Sequence, residues 1–316
     1  MFLRNVNLDI LKFILSLLIV TIHTNLFKEI NPYFSYMITN GIARIAVPVF
    51  CLINGYYFYD TVMKKSSGQW LRKIATLYVL WMLIYSVFWF RVNNDYNILL
   101  TLKYFIYGFF QLWYIQAIFL TALLLMLLKN NIRMLCFIAI LFFTLNLSIE
   151  YLSNFNVLKV SRSEIHNFLS SDYMHRNILL TFPFFATGFL IKKYQLDNKI
   201  KLSFLIFLSV LFIPLGLLEV NNNYIKNPLA DFDNMLWIMP VSIILFLLVI
   251  KKPAYKEKKL FNFGYYANGI FLTHTFFILL IKEHFKQIHS IELYFIVILV
   301  SLLITAIIKY KAKNLM

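Results

Sequence analysis

Charge is scarce in this chain. Only 14% of its 316 residues are Asp, Glu, Lys or Arg, while 61% are apolar and 33 are Phe. A soluble domain of this length needs a far more polar surface, so a water-soluble globular fold is excluded. Cysteine is sparse too. Cys51 and Cys136 are the only two; both fall in apolar runs, and their spacing offers neither a disulfide framework nor a metal site. They are expected to pack as small apolar residues, and no metal ligands and no bound cofactor are expected. No Gly/Ser/Pro-rich linker and no low-complexity tract divides the chain, so residues 1–316 are expected to form a single domain. No stretch suits a soluble catalytic module: the longest polar segments fall near 153–177 and 220–233.

Long apolar runs are abundant. They are about 20 residues each, the length that crosses ~30 Å of hydrocarbon. Ten spans are expected, near 8–27, 34–59, 70–91, 111–129, 132–152, 178–193, 201–219, 234–250, 262–283 and 291–310. The fold class is therefore all-α, a polytopic integral membrane protein. The stretch 97–110 (NILLTLKYFIYGFF) carries Lys103 and adjoins the next span, so it is expected to lie on the lipid surface or to re-enter. The first run is interrupted by polar residues and lacks a small-residue cleavage site, which marks a retained span and not a removed signal peptide.

The net charge of +16 would suit nucleic acid if it were clustered for that purpose. Its distribution follows the membrane instead. With ten crossings, alternate loops collect 19 basic residues on one side and nine on the other. This is the positive-inside pattern, so both termini are expected in the cytoplasm and nucleic acid is not an expected partner. The two longer polar segments then lie outside. The first is rich in Ser, Asn and His; the second, NNNYIKNPLADFDN, combines amides and carboxylates with Tyr224 and nearby Trp237. That mixture suits sugar hydroxyls and rings, although ordinary solvated loops share it.

The first span, LDILKFILSLLIVTIHTNLF, carries Asp9, Lys12 and His23. Ionisable groups in hydrocarbon are costly and usually face a partner, a cavity or a site. Eleven residues separate Lys12 from His23, about 1100° of helical rotation, so both point to one face roughly 16 Å apart along the axis. Asp9 lies three residues before Lys12 and can pair with it. A snorkelling lysine and a hydrogen-bonded packing histidine would account for either residue alone. Together on one face they suggest a lined passage, and their separation matches the reach of an extended pantetheine arm.

Later spans add partners. Arg44 sits in an otherwise apolar run, where a structural salt bridge is the alternative to a site role. Asn54 and Gly55 permit either close backbone approach or a local break in the same helix. Gln111, Trp113 and Tyr114 open the fourth span, where aromatic residues also serve as interface belts. His274 lies mid-span in GYYANGIFLTHTFFILL, either at a site or simply packed and hydrogen-bonded.

Taken in order, these segments resemble the membrane-bound acyltransferase-3 family over nearly the whole chain. NLDILKFILSLLIVTIHT is similar to that family's opening helix, in which a basic residue precedes His with ten residues between. RIAVPVFCLINGYYF resembles its second-helix signature, QLWYIQAIFL the His-Leu-Trp-Tyr opening of a later helix, and FPFFATGFLI and YANGIFLTH two further segments. There are departures. Gln111 stands where many relatives have His, Lys12 replaces the more usual Arg and loses its bidentate geometry, and Asn54 stands at the usual Ser.

The resemblance implies an acyltransferase that moves an acyl group, commonly acetyl from acetyl-CoA as co-substrate, onto a hydroxyl of a cell-surface or exported glycan. His23 would be catalytic, as general base or as a transient acyl carrier. Arg44, Gln111, Trp113 and His274 would support the oxyanion or the substrate. Lys12, with Asp9 and with Arg72 and Lys73 at the cytoplasmic mouth, would hold the donor. The expected partners are an acyl-CoA, a glycan and the lipid of a bacterial plasma membrane. A transporter or flippase for a glycan or small solute is the competing reading, although no inverted repeat is visible. A sensor or uptake module is a third, weakened by the lack of a soluble extension. The topology is directly testable: a cysteine introduced at Ser66 should resist a membrane-impermeant maleimide in intact cells and react once membranes are opened. Robust labelling of intact cells would overturn the map.

Overall fold

The computed structural model describes residues 5–92, 98–155, 175–251 and 262–311, and every regular element among them is helical. In chain order these are α1 (Val6–Thr24), α2 (Pro32–Met63), α3 (Ser67–Ile84), α4 (Ser86–Val92), α5 (Ile98–Tyr107), α6 (Trp113–Leu128), α7 (Ile132–Asn154), α8 (Thr181–Tyr194), α9 (Leu202–Lys226), α10 (Ile238–Ile250), α11 (Phe263–His284) and α12 (Ser290–Lys311). A 3-10 turn, Phe110–Leu112, precedes α6, and a π turn, His175–Leu180, precedes α8. The Ser/Asn/His-rich segment expected to contact sugar lies, from 156 to 174, outside the described residues, as do Arg4, Lys313 and the basic stretch 252–261.

Seven helices among the described residues are long and apolar enough to cross a membrane: α1, α2, α6 with its leading turn, α7, α9, α11 and α12. The other three expected spans are also helical. Two of them are short, α8 with 14 residues and α10 with 13, about 20 Å at 1.5 Å per residue. These short helices lie deep in the protein, with Phe182, Phe184, Phe185 and Phe246 wholly buried. The third region is divided, because α3 ends at Ile84 and α4 starts at Ser86.

Two expectations about helix ends change. The sequence between 220 and 233 suggested a loop, yet α9 continues to Lys226. Its polar residues find partners in the approach to α10. Glu219 accepts from the backbone N–H of Leu236 (2.9 Å) and Trp237 (3.1 Å), and also from the Tyr151 hydroxyl. A carboxylate at a helix N-terminus is a favourable pairing. In α2, the Asn54-Gly55 pair does not break the helix. The irregular part comes earlier, as a π turn over Met37–Gly41 and a 3-10 turn over Ile42–Ile45.

Gly55 permits close approach. A Cβ there would collide with the Phe185 carbonyl of α8, and a Cβ at Gly188 would collide with the Leu52 carbonyl of α2. Each glycine thus lies on the other helix's backbone. Without a hydrophobic driving force between helices in lipid, van der Waals packing across small residues holds them together. Aromatic rings close the seam: Phe58 packs on Phe185 at 5.4 Å and on Trp70 at 4.9 Å. Cys51, a free thiol, is wholly buried beside it, and Cys136 is free and half-buried.

At the far end of the bundle Glu29, in the α1–α2 connection, accepts from the hydroxyl and the N–H (3.3 Å) of Ser290 at the start of α12. The hydroxyl holds the Glu29 carboxyl below the usual carboxylate range. The seam between α2 and α8 carries a clear expectation. Gly188→Val should lower stability by about 3 kcal/mol, the upper end of overpacking costs, read as a fall in unfolding temperature in detergent. An unchanged midpoint would show that the two backbones do not meet as described.

Candidate active site

α1 places its polar residues at two levels. Asn5 caps its start by accepting from the N–H of Asn7 (3.1 Å) and Leu8 (3.3 Å), and Asn25 ends it in the left-handed conformation. Near the start, Lys12 Nζ lies 3.6 Å from Asp9 Oδ1 and 5.8 Å from the Tyr57 ring centroid. Asp9 itself presses on Gly264 of α11, where a Cβ would meet its carboxylate. At the other end, packing of α1 against α11 brings the His23 and His274 rings to 5.1 Å between centroids, inclined at 42°. The two histidines, 251 positions apart in sequence, form one pair.

The members of the pair are not equivalent. His274 is wholly buried. Its Nδ1 lies 2.9 Å from the Ile270 carbonyl and its Nε2 3.1 Å from the Thr275 hydroxyl. A carbonyl only accepts, so Nδ1 donates to Ile270, and Nε2 shares a hydrogen bond with the Thr275 hydroxyl, which can donate or accept. Both nitrogens of His274 are thus engaged. His23 is half-buried, one residue from the end of α1, and is the imidazole that a reactant can approach.

Gln111 braces the partner helix. It is buried, and its amide donates to the Tyr85 hydroxyl and to the Leu272 carbonyl (3.3 Å). Tyr85 in turn donates to the Leu272 carbonyl (3.0 Å) and accepts from the Phe276 N–H (2.9 Å). Leu272 and Phe276 are the i and i+4 ends of one helical turn, and His274 lies between them. The clamp therefore fixes the height and rotation of that imidazole. Tyr85 was not singled out from sequence. The only signal was a tyrosine within an apolar span with no polar neighbour on its own helix.

Two cavities open near the pair, one reaching Ile22 and Asn25 of α1 and the other Phe271 and Leu272 of α11, with neither histidine among their lining residues. A cleft of about 170 Å³ is lined by Asn54, Leu77, Tyr114, Asn268, Phe271 and others. Asn54 donates to the Tyr114 hydroxyl at 2.8 Å, and the Phe271 ring touches both Tyr114 (5.4 Å) and His274 (6.3 Å). Trp113 is half-buried against Tyr114 at 6.2 Å. Arg72 and Lys73 are exposed in the first turns of α3, with Lys73 four residues before Leu77 and hence on the same face as the cleft wall. A second cavity, about 320 Å³, is lined by residues that include Ile22, Asn25, Asn40, Arg44 and Asp231. Arg44 and Asn54 are ten residues apart on α2, about 15 Å along the axis. The cavities thus occupy different levels, with Ile22 and Asn25 of the second bracketing His23.

Arg44 takes the salt-bridge option. Its guanidinium donates to Asp233 (2.5 Å), to Asp231, and to the Asn40 side chain (3.1 Å). It ties α2 to the segment before α10. Among the described residues no cluster of His, Cys, Asp or Glu could hold a metal ion.

The acyltransferase domain family matches residues 5–310. The chain belongs to the acyltransferase-3 family. It is therefore a multi-pass membrane protein of an acyltransferase family. It is also 26% identical over 273 residues to an amino-acid racemase of Enterococcus faecalis; the match covers 80% of this chain and 38% of that relative. The chain thus spans well under half the length of that curated relative. No solved structure matches it significantly. In this acyltransferase-3 chain the clamp has a measurable weight. Gln111→Leu should cost about 1–3 kcal/mol, because the Tyr85 hydroxyl and the Leu272 carbonyl lose a buried donor. The loss should appear as a lower unfolding temperature together with reduced transfer. Wild-type stability in Gln111→Leu would remove the clamp from the account.

Proposed function

We propose that the protein is a membrane O-acyltransferase that moves acetyl from acetyl-CoA to a hydroxyl of a cell-surface or exported glycan. One observation supports this reading: the half-buried imidazole of His23 packs on the buried, hydrogen-bonded His274, one cavity reaches its chain neighbours Ile22 and Asn25, and another reaches Phe271, whose ring touches His274. In this reading a thioester from one side and a hydroxyl from the other meet at the pair. The ten-crossing path, with both termini in the cytoplasm of a bacterial plasma membrane, belongs to the same proposal and is supported by the 19-to-9 charge distribution.

The chemistry follows from the needs of the hydroxyl, a poor nucleophile at neutral pH. Neutral His23 accepts its proton as the oxygen attacks the thioester carbonyl. The C–S bond then breaks, and the imidazolium returns the proton to the departing CoA sulfur. His274 orients His23 and keeps the pair from carrying two charges. The 170 Å³ cleft, with the Asn54 and Asn268 amides, suits the amide-bearing thioester arm. Lys12 with Asp9, and Lys73 with Arg72, would meet the donor's phosphates. Trp113, beside the cleft residue Tyr114, would support the carbonyl oxygen. Gln111 acts through position, since its amide hydrogens go to Tyr85 and Leu272, and Arg44, whose two terminal nitrogens are held by Asp233, Asp231 and Asn40, acts mainly through position too.

The relative's racemase name does not extend to this proposal, because most of that protein lies beyond the matched stretch. A transporter of glycans is separated by its chemistry: it would leave acetyl-CoA intact, whereas the proposed enzyme releases CoA. His23→Gln is the decisive variant. Gln can hydrogen-bond like a packing histidine but accepts no proton at neutral pH. It should lower acetyl transfer by about 10²–10⁴-fold, followed by CoA release and by glycan mass, with membrane abundance unchanged. Transfer at the unmodified rate would sink the assignment.

A further inference from the structure

The 320 Å³ cavity has the chemistry of a receptor for one ring. Tyr36 and Tyr224 line it, with Tyr224 packed on Tyr36 at 5.1 Å and on Tyr33 at 5.0 Å, which makes an aromatic wall. Tyr36 is buried, 6% exposed, and its hydroxyl has no hydrogen-bond partner among the described residues. A buried hydroxyl without a partner is costly, and a ligand hydroxyl would satisfy it. Opposite the wall stands the polar cluster of Arg44, Asn40 and Asp231. Asp231, ion-paired with Arg44, is 59% exposed at its side chain, whereas Asp233 is 12% exposed.

Of the charged groups lining this cavity, Arg44 and Lys28 are cations and Asp231 is an anion, and Arg44 is paired both with Asp231 and with Asp233, which lies outside the lining. An anionic ligand would have to compete with these two carboxylates for Arg44. An acyl chain would strand the polar wall without partners. A neutral sugar fits both demands: its C–H face lies on tyrosine, and its hydroxyls meet an amide, a carboxylate and the Tyr36 hydroxyl. The volume lies at the small end of the ~300–1,000 Å³ range of ligand sites, room for a sugar unit and not for a long chain.

We propose that this cavity is the acceptor subsite, that it takes a neutral sugar ring, and that Tyr36 and Tyr224 are its specificity determinants. The proposal rests on the acyltransfer reading for its place in the reaction. Ile22 and Asn25 line the cavity while His23 itself does not, so a sugar held there lies beside the end of α1, and a hydroxyl projecting from it toward His23 is part of the proposal.

The test uses the full chain in lipid nanodiscs and saturation-transfer NMR, which needs no donor. The probes are methyl β-glucoside and methyl N-acetyl-β-glucosaminide, with glucuronate as the anionic comparison. The neutral glycosides should bind, glucuronate at least about fivefold more weakly. Tyr36→Phe, which removes one oxygen and keeps the ring, should weaken neutral binding about fivefold, the scale of one net hydrogen bond. Tyr224→Ala should weaken it further. The subsite is overturned if no neutral glycoside binds, or if both variants bind as the unmodified protein does. A separate readout keeps the two readings apart. Tyr36-dependent binding with no CoA release would keep the sugar site and remove acyltransfer. Acyltransfer with an unchanged acceptor KM in both variants would keep the enzyme and remove the subsite.

Discussion

A polar side chain in hydrocarbon has no water to turn to, so its partners must come from other helices. His23 meets this condition by packing on His274, and His274 meets it with a backbone carbonyl and a neighbouring hydroxyl. Everything around the pair serves to keep those partners in register. α11 is pinned by Tyr85, at the junction of α3 and α4, and by Gln111 from the turn before α6. α1 is pinned at its other end by Asp9 against Gly264 of the same α11. The contact between two helices thus sets the position of the histidine pair.

The same constraint explains why the polar inventory of this protein is so economical. Arg44 is not left in lipid but closes on two aspartates from the segment before α10. Glu219 is held by a helix N-terminus and a tyrosine. In the larger cavity the Tyr36 hydroxyl has no partner among the described residues. Close backbone contact at Gly55 and Gly188 gives the bundle the rigidity that such geometry needs. An imidazole that shifted by an ångström would lose much of its advantage in orientation.

Much of the architecture was legible beforehand. Helices occur at the expected positions, and seven of them among the described residues are long and apolar enough to cross a membrane, because membrane helices announce themselves by length and composition. The presence of α5 within 97–110 was legible in the same way. The ends were less so: α9 runs past 219 because Glu219 and Asn223 find partners in the segment before α10, and no local pattern reveals that. Asn54-Gly55 was ambiguous between a break and close contact, since a glycine permits both and only α8 decides.

The candidate site divides along the same line. Sequence alone determined that Lys12 and His23 share a face of one helix, because helical rotation fixes the relation between residues eleven apart. It also determined the membrane class and the family likeness, which rest on composition and ordered motifs. Tertiary structure decided that His274 is the residue beside His23, that Gln111 and Tyr85 brace it, that Arg44 closes a salt bridge, and that Tyr36 lines a cavity with an unpaired hydroxyl. Those relations join residues as much as 251 positions apart. The reason is physical: within one helix geometry follows from spacing, but between helices it depends on which small residues, rings and polar groups allow two backbones to meet.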